Sequence, residues 1–159
     1  MSLTAADIMT KSVLTAKPDD TVAAVARLLS EHDISAVPVC DSRGAVIGMV
    51  SEGDLLTPVG AESTARRSRW LTILAEGTDL ASDFVHYIGI GNRRIGDLMV
   101  KPVITATADT PVPQLADMLV RHHIKRLPIV QDGRLVGIVS RANLIRAFAR
   151  NPDAVVEPP

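Results

Sequence analysis

The chain has 159 residues and a formal net charge of −1; 47% of its residues are hydrophobic and only 3% are aromatic. This length favours a single compact body, whose core must consist mainly of aliphatic side chains. A charge so close to zero excludes bulk electrostatic attraction to nucleic acid or to an anionic membrane. The one cysteine, Cys40, excludes an internal disulfide. Because the sequence has neither a secretory signal pattern nor an apolar run long enough to span a membrane, we expect a cytoplasmic location.

The predicted elements of the first half follow the order β-α-β-β-α. A β-rich run at residues 12–16 comes first, and Thr21 then precedes apolar residues at helical spacing. Two strands at residues 36–40 and 45–50 are joined by a turn that contains a glycine, which predicts a hairpin. Ser51 follows the second strand and is the expected N-cap of another helix.

Residues 57–94 differ from the elements on either side of them. From Arg66 to Trp70 this segment combines three arginines with the only tryptophan of the chain. The pattern predicts a helical insertion or a surface for a partner. The last residues, 151–159, contain three prolines and predict a linker or a tail.

The second half repeats the first. The stretch from Asp7 to Leu55 recurs, diverged, from Asp97 to Leu144, with an offset of 90 residues that becomes 89 after the turn. The second copy predicts a β-rich run at residues 103–107, a helix from Pro111, strands at 126–130 and 135–139, and a helix from Ser140 to about Arg150.

Two copies of one supersecondary unit imply an approximate internal twofold axis, and each small sheet must bury the face that its helices leave open. We therefore predict an α/β (α+β) fold in which two β-α-β-β-α repeats pack sheet to sheet, with a helical insertion between them. The predicted domains are repeat 1 at residues 1–56, the insertion at 57–94, repeat 2 at 95–150 and the tail at 151–159.

The strongest chemical signal lies where the second strand of each copy meets a helix. In copy 1, residues 48–54 have the pattern Gly-x-x-Ser-x-x-Asp, which ends in Ser51 and Asp54. One interpretation is a capping box, in which the Asp54 side chain accepts a hydrogen bond from the Ser51 backbone. The other is a ligand site beside the helix N-terminus, in which Asp54 accepts bonds from a ribose diol and Ser51 binds a sugar or phosphate oxygen.

The same pattern in copy 2 ends in Ser140 and Asn143, so that an amide replaces the carboxylate. A neutral amide lacks the charge that strengthens hydrogen bonds from a diol. A site in copy 2 is therefore expected to hold ribose less tightly, which leaves one competent site or two of unequal affinity.

Both copies resemble CBS domains, and the pair resembles a Bateman module. The similarity covers residues 6–56 and 95–150. It is carried by Asp-Ile-Met-Thr at residues 7–10, Asp-Leu-Met-Val at 97–100, the strands around Pro38 and Pro128, and the two junction patterns. The resemblance implies a non-catalytic regulatory module without a required cofactor. Such a module forms homodimers and binds an adenosine-containing ligand, namely AMP, ADP, ATP, NAD or S-adenosylmethionine, in clefts between its copies.

The resemblance also implies roles for particular residues. Ribose and phosphate would be bound by Ser51, Asp54, Ser140, Asn143, Lys125 and Arg126. The adenine pockets would be formed by Val13, Leu14, Ile34, Val103, Ile104 and Ile124. On the family pattern, Ser51 and Asp54 would share one cleft with Val103, Ile104 and Ile124. Ser140 and Asn143 would share the other with Ser12, Val13, Leu14, Ile34 and Arg126. A solvated basic strand edge is the alternative interpretation of Lys125 and Arg126.

Two alternatives come from other functional classes. One is assembly, in which a homodimer forms and both clefts stay empty. The other is a lipid or nucleic-acid adaptor that uses the stretch from Arg66 to Trp70, which the near-neutral charge disfavours. The insertion also resembles that of bacterial two-CBS proteins, some of which continue into a C-terminal BON domain. The sequence predicts neither a catalytic constellation nor a metal site, since His122 and His123 lack partners at ligand spacing.

Overall fold

A computed structural model describes residues 2–61 and 91–154 of the chain. The predicted insertion, including the stretch from Arg66 to Trp70, lies mostly outside the described residues, as does most of the predicted tail. The helices are α1 (Ala5–Ile8), α2 (Val22–Glu31), α3 (Glu52–Ala61), α4 (Val112–Arg121) and α5 (Arg141–Arg150). The strands are β1 (Ala36–Cys40), β2 (Val46–Ser51), β3 (Ala106–Thr107), β4 (Arg126–Gln131) and β5 (Arg134–Ser140). Short 3₁₀ turns occur at Ile95–Asp97 and Pro152–Ala154. The mixed α/β class is confirmed.

The β-rich runs ahead of α2 and α4 form less sheet than the sequence predicts. In copy 1 only Ala16 pairs with β1, through its N–H to the Pro38 carbonyl and through its own carbonyl to the Cys40 N–H, both at 2.9 Å. Extending this parallel pairing by two residues would require an N–H from Pro38, which proline lacks. Pro128 imposes the same limit in copy 2, where β3 has only two residues.

The chain divides into two compact units. Unit 1 consists of Met1–Leu14, Ser42–Val46 and Val103–Pro159, and unit 2 of Thr15–Asp41 and Ile47–Pro102. Each unit therefore contains the strands and helices of one copy together with the leading segment of the other. We call residues 4–10 the N-terminal arm and residues 94–100 the central arm.

Each arm completes a hydrophobic core. Ala5 of the N-terminal arm is fully buried in unit 1, and Ile95 of the central arm is fully buried in unit 2. The buried core of unit 1 is Ala5, Ala106, Val112, Leu115, Leu119, Leu127, Ile129 and Val139. That of unit 2 is Ala16, Val22, Val25, Leu29, Val37, Val39, Val50, Leu55 and Ile95. Because aromatic residues are absent from both sets, these cores depend on close aliphatic packing.

Each arm also pairs with the strand that leads into a junction motif. Thr10 and Ile138 exchange two backbone hydrogen bonds of 2.9 and 3.0 Å in unit 1, and Val100 and Met49 exchange two of 2.8 and 3.1 Å in unit 2. These pairings lie at matching positions of the two copies. The leading segment of each copy is thus held by the junction strand of the other.

A methionine from each arm lies directly over a glycine of the paired strand. A Cβ atom added at Gly137 would lie 2.8 Å from Met9 Cγ, and one added at Gly48 would lie 2.7 Å from Met99 Cγ, with the sulfur atoms closer still. Any side chain at these positions would displace the methionine. The glycine that opens each junction pattern is therefore required by the close approach of the arm.

Gly48→Ala and Gly137→Ala should each lower the free energy of unfolding by about 1–3 kcal/mol, because overpacking forces the methionine out of its place. Gly53→Ala is the matched control. Among the described residues a Cβ there meets Ser51 Oγ alone, at 3.6 Å, and alanine is the better helix former, so stability should stay level or rise slightly. Urea unfolding measures all three. Equal stabilities of Gly48→Ala and Gly53→Ala would contradict this account.

Cys40 ends β1 and is buried. Burial raises the pKa of its thiol, and the neighbouring Asp41 carboxylate adds to the effect. Because the thiolate is the reactive form, native Cys40 should react with iodoacetamide more slowly at about pH 8 than in concentrated urea. Mass spectrometry of timed samples measures both rates. Equal rates would show that the Cys40 thiol is not shielded from the reagent and that its pKa is not raised.

Candidate functional site

The junction motifs are residues 48–54 (motif 1) and residues 137–143 (motif 2). In motif 1, β2 ends at Ser51 and α3 begins at Glu52. Oδ2 of Asp54 accepts hydrogen bonds from Ser51 N at 2.8 Å and from Ser51 Oγ at 3.0 Å, while Asp54 N donates to Ser51 Oγ at 3.4 Å. These reciprocal bonds form a capping box, so this interpretation of the pattern is confirmed.

The capping box uses only part of the hydrogen-bonding capacity of Asp54. A carboxylate has two acceptor oxygens and no donor. Both hydrogen bonds that the Asp54 carboxylate accepts from Ser51 end at Oδ2, and among the described residues no donor bonds its Oδ1. Asp54 is half-buried at the start of α3. Capping and ligand binding are therefore compatible at this residue.

Ser51 is more restricted than the sequence suggests. Its hydroxyl proton lies in the bond to Asp54 Oδ2, and its oxygen accepts from Asp54 N. Donation from Ser51 to a ligand would require this bond to break. The ligand role of Ser51 stays a prediction.

Motif 2 forms the same cap, but its Asn143 makes further bonds. Oδ1 of Asn143 accepts from Ser140 N at 2.8 Å and from Ser140 Oγ at 2.7 Å, and Asn143 N donates to Ser140 Oγ at 3.3 Å. The side-chain nitrogen of Asn143 donates to the Ile8 carbonyl at 2.9 Å and to Thr10 Oγ1 at 3.4 Å. The two motifs thus form the same cap and differ in the bonds that Asn143 makes to Ile8 and Thr10.

Each motif is also bonded to the residue that precedes the first hairpin strand of its own copy. Glu52 N donates to the Ser35 carbonyl at 2.9 Å, and Arg141 N donates to the Lys125 carbonyl at 3.2 Å. Lys125 is exposed and Arg126, the first residue of β4, is half-buried. Unit 1 therefore brings Lys125 and Arg126 close to motif 2, and unit 2 brings the Ser35 region close to motif 1.

The predicted adenine-pocket residues are divided between the units. Val13, Leu14, Val103, Ile104 and Ile124 belong to unit 1 with motif 2, and Ile34 belongs to unit 2 with motif 1. Ile34, Ile104 and Ile124 are half-buried and pack against the core of their own unit, whereas Leu14 is 38% exposed. The predicted groupings that join residues of different units stay predictions.

The N-terminal arm is itself capped, which the sequence analysis missed. Thr4 N and Thr4 Oγ1 donate to Asp7 Oδ2 at 2.8 and 3.0 Å. These two bonds, from the backbone first and the hydroxyl second, lower the pKa of the Asp7 carboxyl. Thr4 followed three residues later by Asp7 is the sequence signal for this cap. The contacts of Ile8 and Thr10 with Asn143 were also not predicted from the sequence.

Metal ligation and membrane spanning find no support in the part of the chain that the structure describes. Within residues 2–61 and 91–154, no three His, Cys, Asp or Glu side chains are grouped as a metal ion requires. None of the helices described in these ranges is both long and apolar enough to cross a membrane.

Known proteins resemble this chain over most of its length. The protein MJ1426 of Methanocaldococcus jannaschii is 29% identical over 154 residues, which covers 89% of each chain. The CBS domain of a CBS domain containing membrane protein from Sphaerobacter thermophilus is 34% identical, with a TM-score of 0.72 over 91% of this chain and 87% of that one. CBSX2 from Arabidopsis thaliana, solved in complex with AMP, is 28% identical, with a TM-score of 0.70 over 94% of this chain and 98% of that one.

A family model for the CBS domain matches residues 5–59 and 95–150. The two matches contain all but the first residue of each arm, together with both hairpins and both junction motifs. The chain therefore belongs to the CBS domain family and carries two CBS domains in tandem.

Proposed function

We propose that this chain is a non-catalytic regulatory module that binds an adenosine-containing ligand at motif 1. The observation that carries the proposal is the Asp54 side chain, whose Oδ2 is held by Ser51 while no described residue donates to its Oδ1. A ribose diol offers two hydroxyl donors, and hydrogen bonds to a carboxylate are stronger than those to a neutral acceptor. The cap fixes the carboxylate before the ligand arrives, which reduces the entropy lost on binding.

The family relationship supports the class of ligand. CBSX2, which is similar to this chain over 94% of its length, has been crystallised with AMP. AMP and the other ligands named above share the adenosine group, so the ribose contact alone does not select among them. The half-buried Ile34, Ile104 and Ile124 provide apolar surface suited to adenine in the two units.

Regulation follows from linkage. A ligand changes the state of a protein only as far as its affinity differs between two states. We propose that the ligand favours one arrangement of the tandem domains and that a partner of the full protein responds to it. Lys125 and Arg126 lie close to motif 2 in unit 1, so they are candidates for binding phosphate there and not for the ribose contact proposed at motif 1.

Assembly is the second candidate, and a specific observation favours it. Val120 at the end of α4 and Ile145 and Phe148 on α5 are 72%, 68% and 49% exposed. Ile145 and Phe148 are three residues apart and therefore share a face of α5. Large apolar side chains that are exposed on one face of a helix are typical of an interface, and we propose that Ile145 and Phe148 contribute to a homodimer.

Asp54→Ala should weaken binding of AMP by about 1.5–3 kcal/mol, which is the contribution of hydrogen bonds to a charged group. Isothermal titration calorimetry with AMP, ATP, NAD and S-adenosylmethionine measures this loss, against an expected wild-type affinity in the micromolar range, about −8 kcal/mol. Asp54→Asn is the control for the cap, because Asn143 forms the same capping box. It should melt close to wild type and still bind more weakly. Wild-type affinity in Asp54→Ala would refute the assignment.

Ile145→Asp and Phe148→Glu should each weaken the homodimer by roughly 1.5–3 kcal/mol, the value of burying one large apolar side chain. Analytical ultracentrifugation over a range of concentrations gives the dissociation constant. Arg146→Glu, which changes charge between these two positions, should leave it nearly unchanged. A wild-type chain that is monomeric at all concentrations would rule out this candidate.

A further inference from the structure

The hydrogen-bonding capacity of the Asn143 side chain is fully used within unit 1. An asparagine amide offers two acceptor positions on oxygen and two donor hydrogens on nitrogen. Oδ1 accepts from Ser140 N and Oγ, and the nitrogen donates to Ile8 and Thr10. No further group is available on this side chain for a ribose diol.

The bonds of the Asn143 nitrogen stabilise the N-terminal arm. Ile8 is the last residue of α1, where backbone carbonyls lack partners within the helix. The amide satisfies one of these carbonyls and also bonds the hydroxyl of Thr10, whose backbone pairs with Ile138. It therefore joins the end of α1 and the paired strand to the first turn of α5.

The two copies differ at both ends of this contact. Thr10 corresponds to Val100 in the central arm, and Asn143 corresponds to Asp54 in motif 1. A carboxylate has no hydrogen to donate to a carbonyl, and valine has no hydroxyl. Asn143 thus occurs with Thr10 in unit 1, and Asp54 occurs with Val100 in unit 2. The side-chain nitrogen of Asn143 is therefore matched to acceptors that the N-terminal arm provides.

We propose that Asn143 is a positioning residue that fixes the N-terminal arm, and that the ribose of a bound ligand contacts Asp54 alone. This replaces the second ribose contact implied by the family resemblance, and its ligand part rests on the proposed function. The arm leads directly to Val13 and Leu14, so the tether also places that segment. The chain then has one carboxylate that binds ribose, although it has two capping boxes.

Reciprocal exchange of the two residues tests the proposal, because Asp and Asn both form the capping box. Asn143→Asp removes both donors that hold the arm, so amide hydrogen exchange at Thr10 and Ile138, followed by NMR, should become about tenfold faster. Thr10→Val is a milder second variant and should speed exchange at the same amides by a smaller factor. Asp54→Asn should leave these rates unchanged. Unchanged exchange in Asn143→Asp would overturn the tether.

The ribose contact is tested by the ratio of the dissociation constants of 2′-deoxyadenosine monophosphate and AMP. A change that weakens the binding of both nucleotides equally cancels in this ratio. We expect a ratio of about ten in wild type, the same ratio in Asn143→Asp, and a ratio close to one in Asp54→Asn. A changed ratio in Asn143→Asp would overturn the proposal. If wild type binds neither nucleotide, the proposed function fails, and the exchange rates alone decide the role of Asn143.

Discussion

The contact between an arm methionine and a strand glycine is the constraint on which both units depend. Gly137 and Gly48 have no side chain, and Met9 and Met99 therefore lie against their strands. At this distance the arm backbone pairs with the strand, and the buried Ala5 and Ile95 enter the cores. A Cβ atom on either glycine would separate the arm from the strand. The closure of each core and the surroundings of each junction motif thus both depend on the close contact between the arm methionine and the strand glycine.

The junction motifs combine a shared structural element with different chemistry. Each motif forms the same kind of capping box. In motif 1 the box holds one side-chain oxygen of Asp54, and in motif 2 it holds the side-chain oxygen of Asn143. What remains is a second carboxylate oxygen in motif 1 and an amide nitrogen in motif 2. The first accepts and the second donates. A ribose diol suits the first, and the end of α1 suits the second.

The sequence predicted those parts of the fold that depend on neighbouring residues. Thr21 caps α2, as its spacing to the apolar residues indicates, and Ser140 caps the helix that ends at Arg150. The sequence did not predict the truncated β runs, because the effect of Pro38 depends on which strand lies beside it. Nor did it predict the exchange of arms. Both arms carry the aspartate and the methionine at matching positions, so these shared residues do not show which arm closes which core.

The same reasoning explains why the candidate site was only half predictable. The pattern Gly-x-x-Ser-x-x-Asp/Asn marks a cap and a charge difference, and both are present. The partners of the Asn143 side-chain nitrogen lie more than 130 residues away along the chain, and a cap signal contains no information about them. The repeat itself holds the missing signal, since Thr10 and Asn143 differ from Val100 and Asp54 together. When two positions of a tandem repeat both differ between the copies, the two positions are candidates for a contact. A side chain that donates a hydrogen bond requires an acceptor at the other position, so the two residues change together.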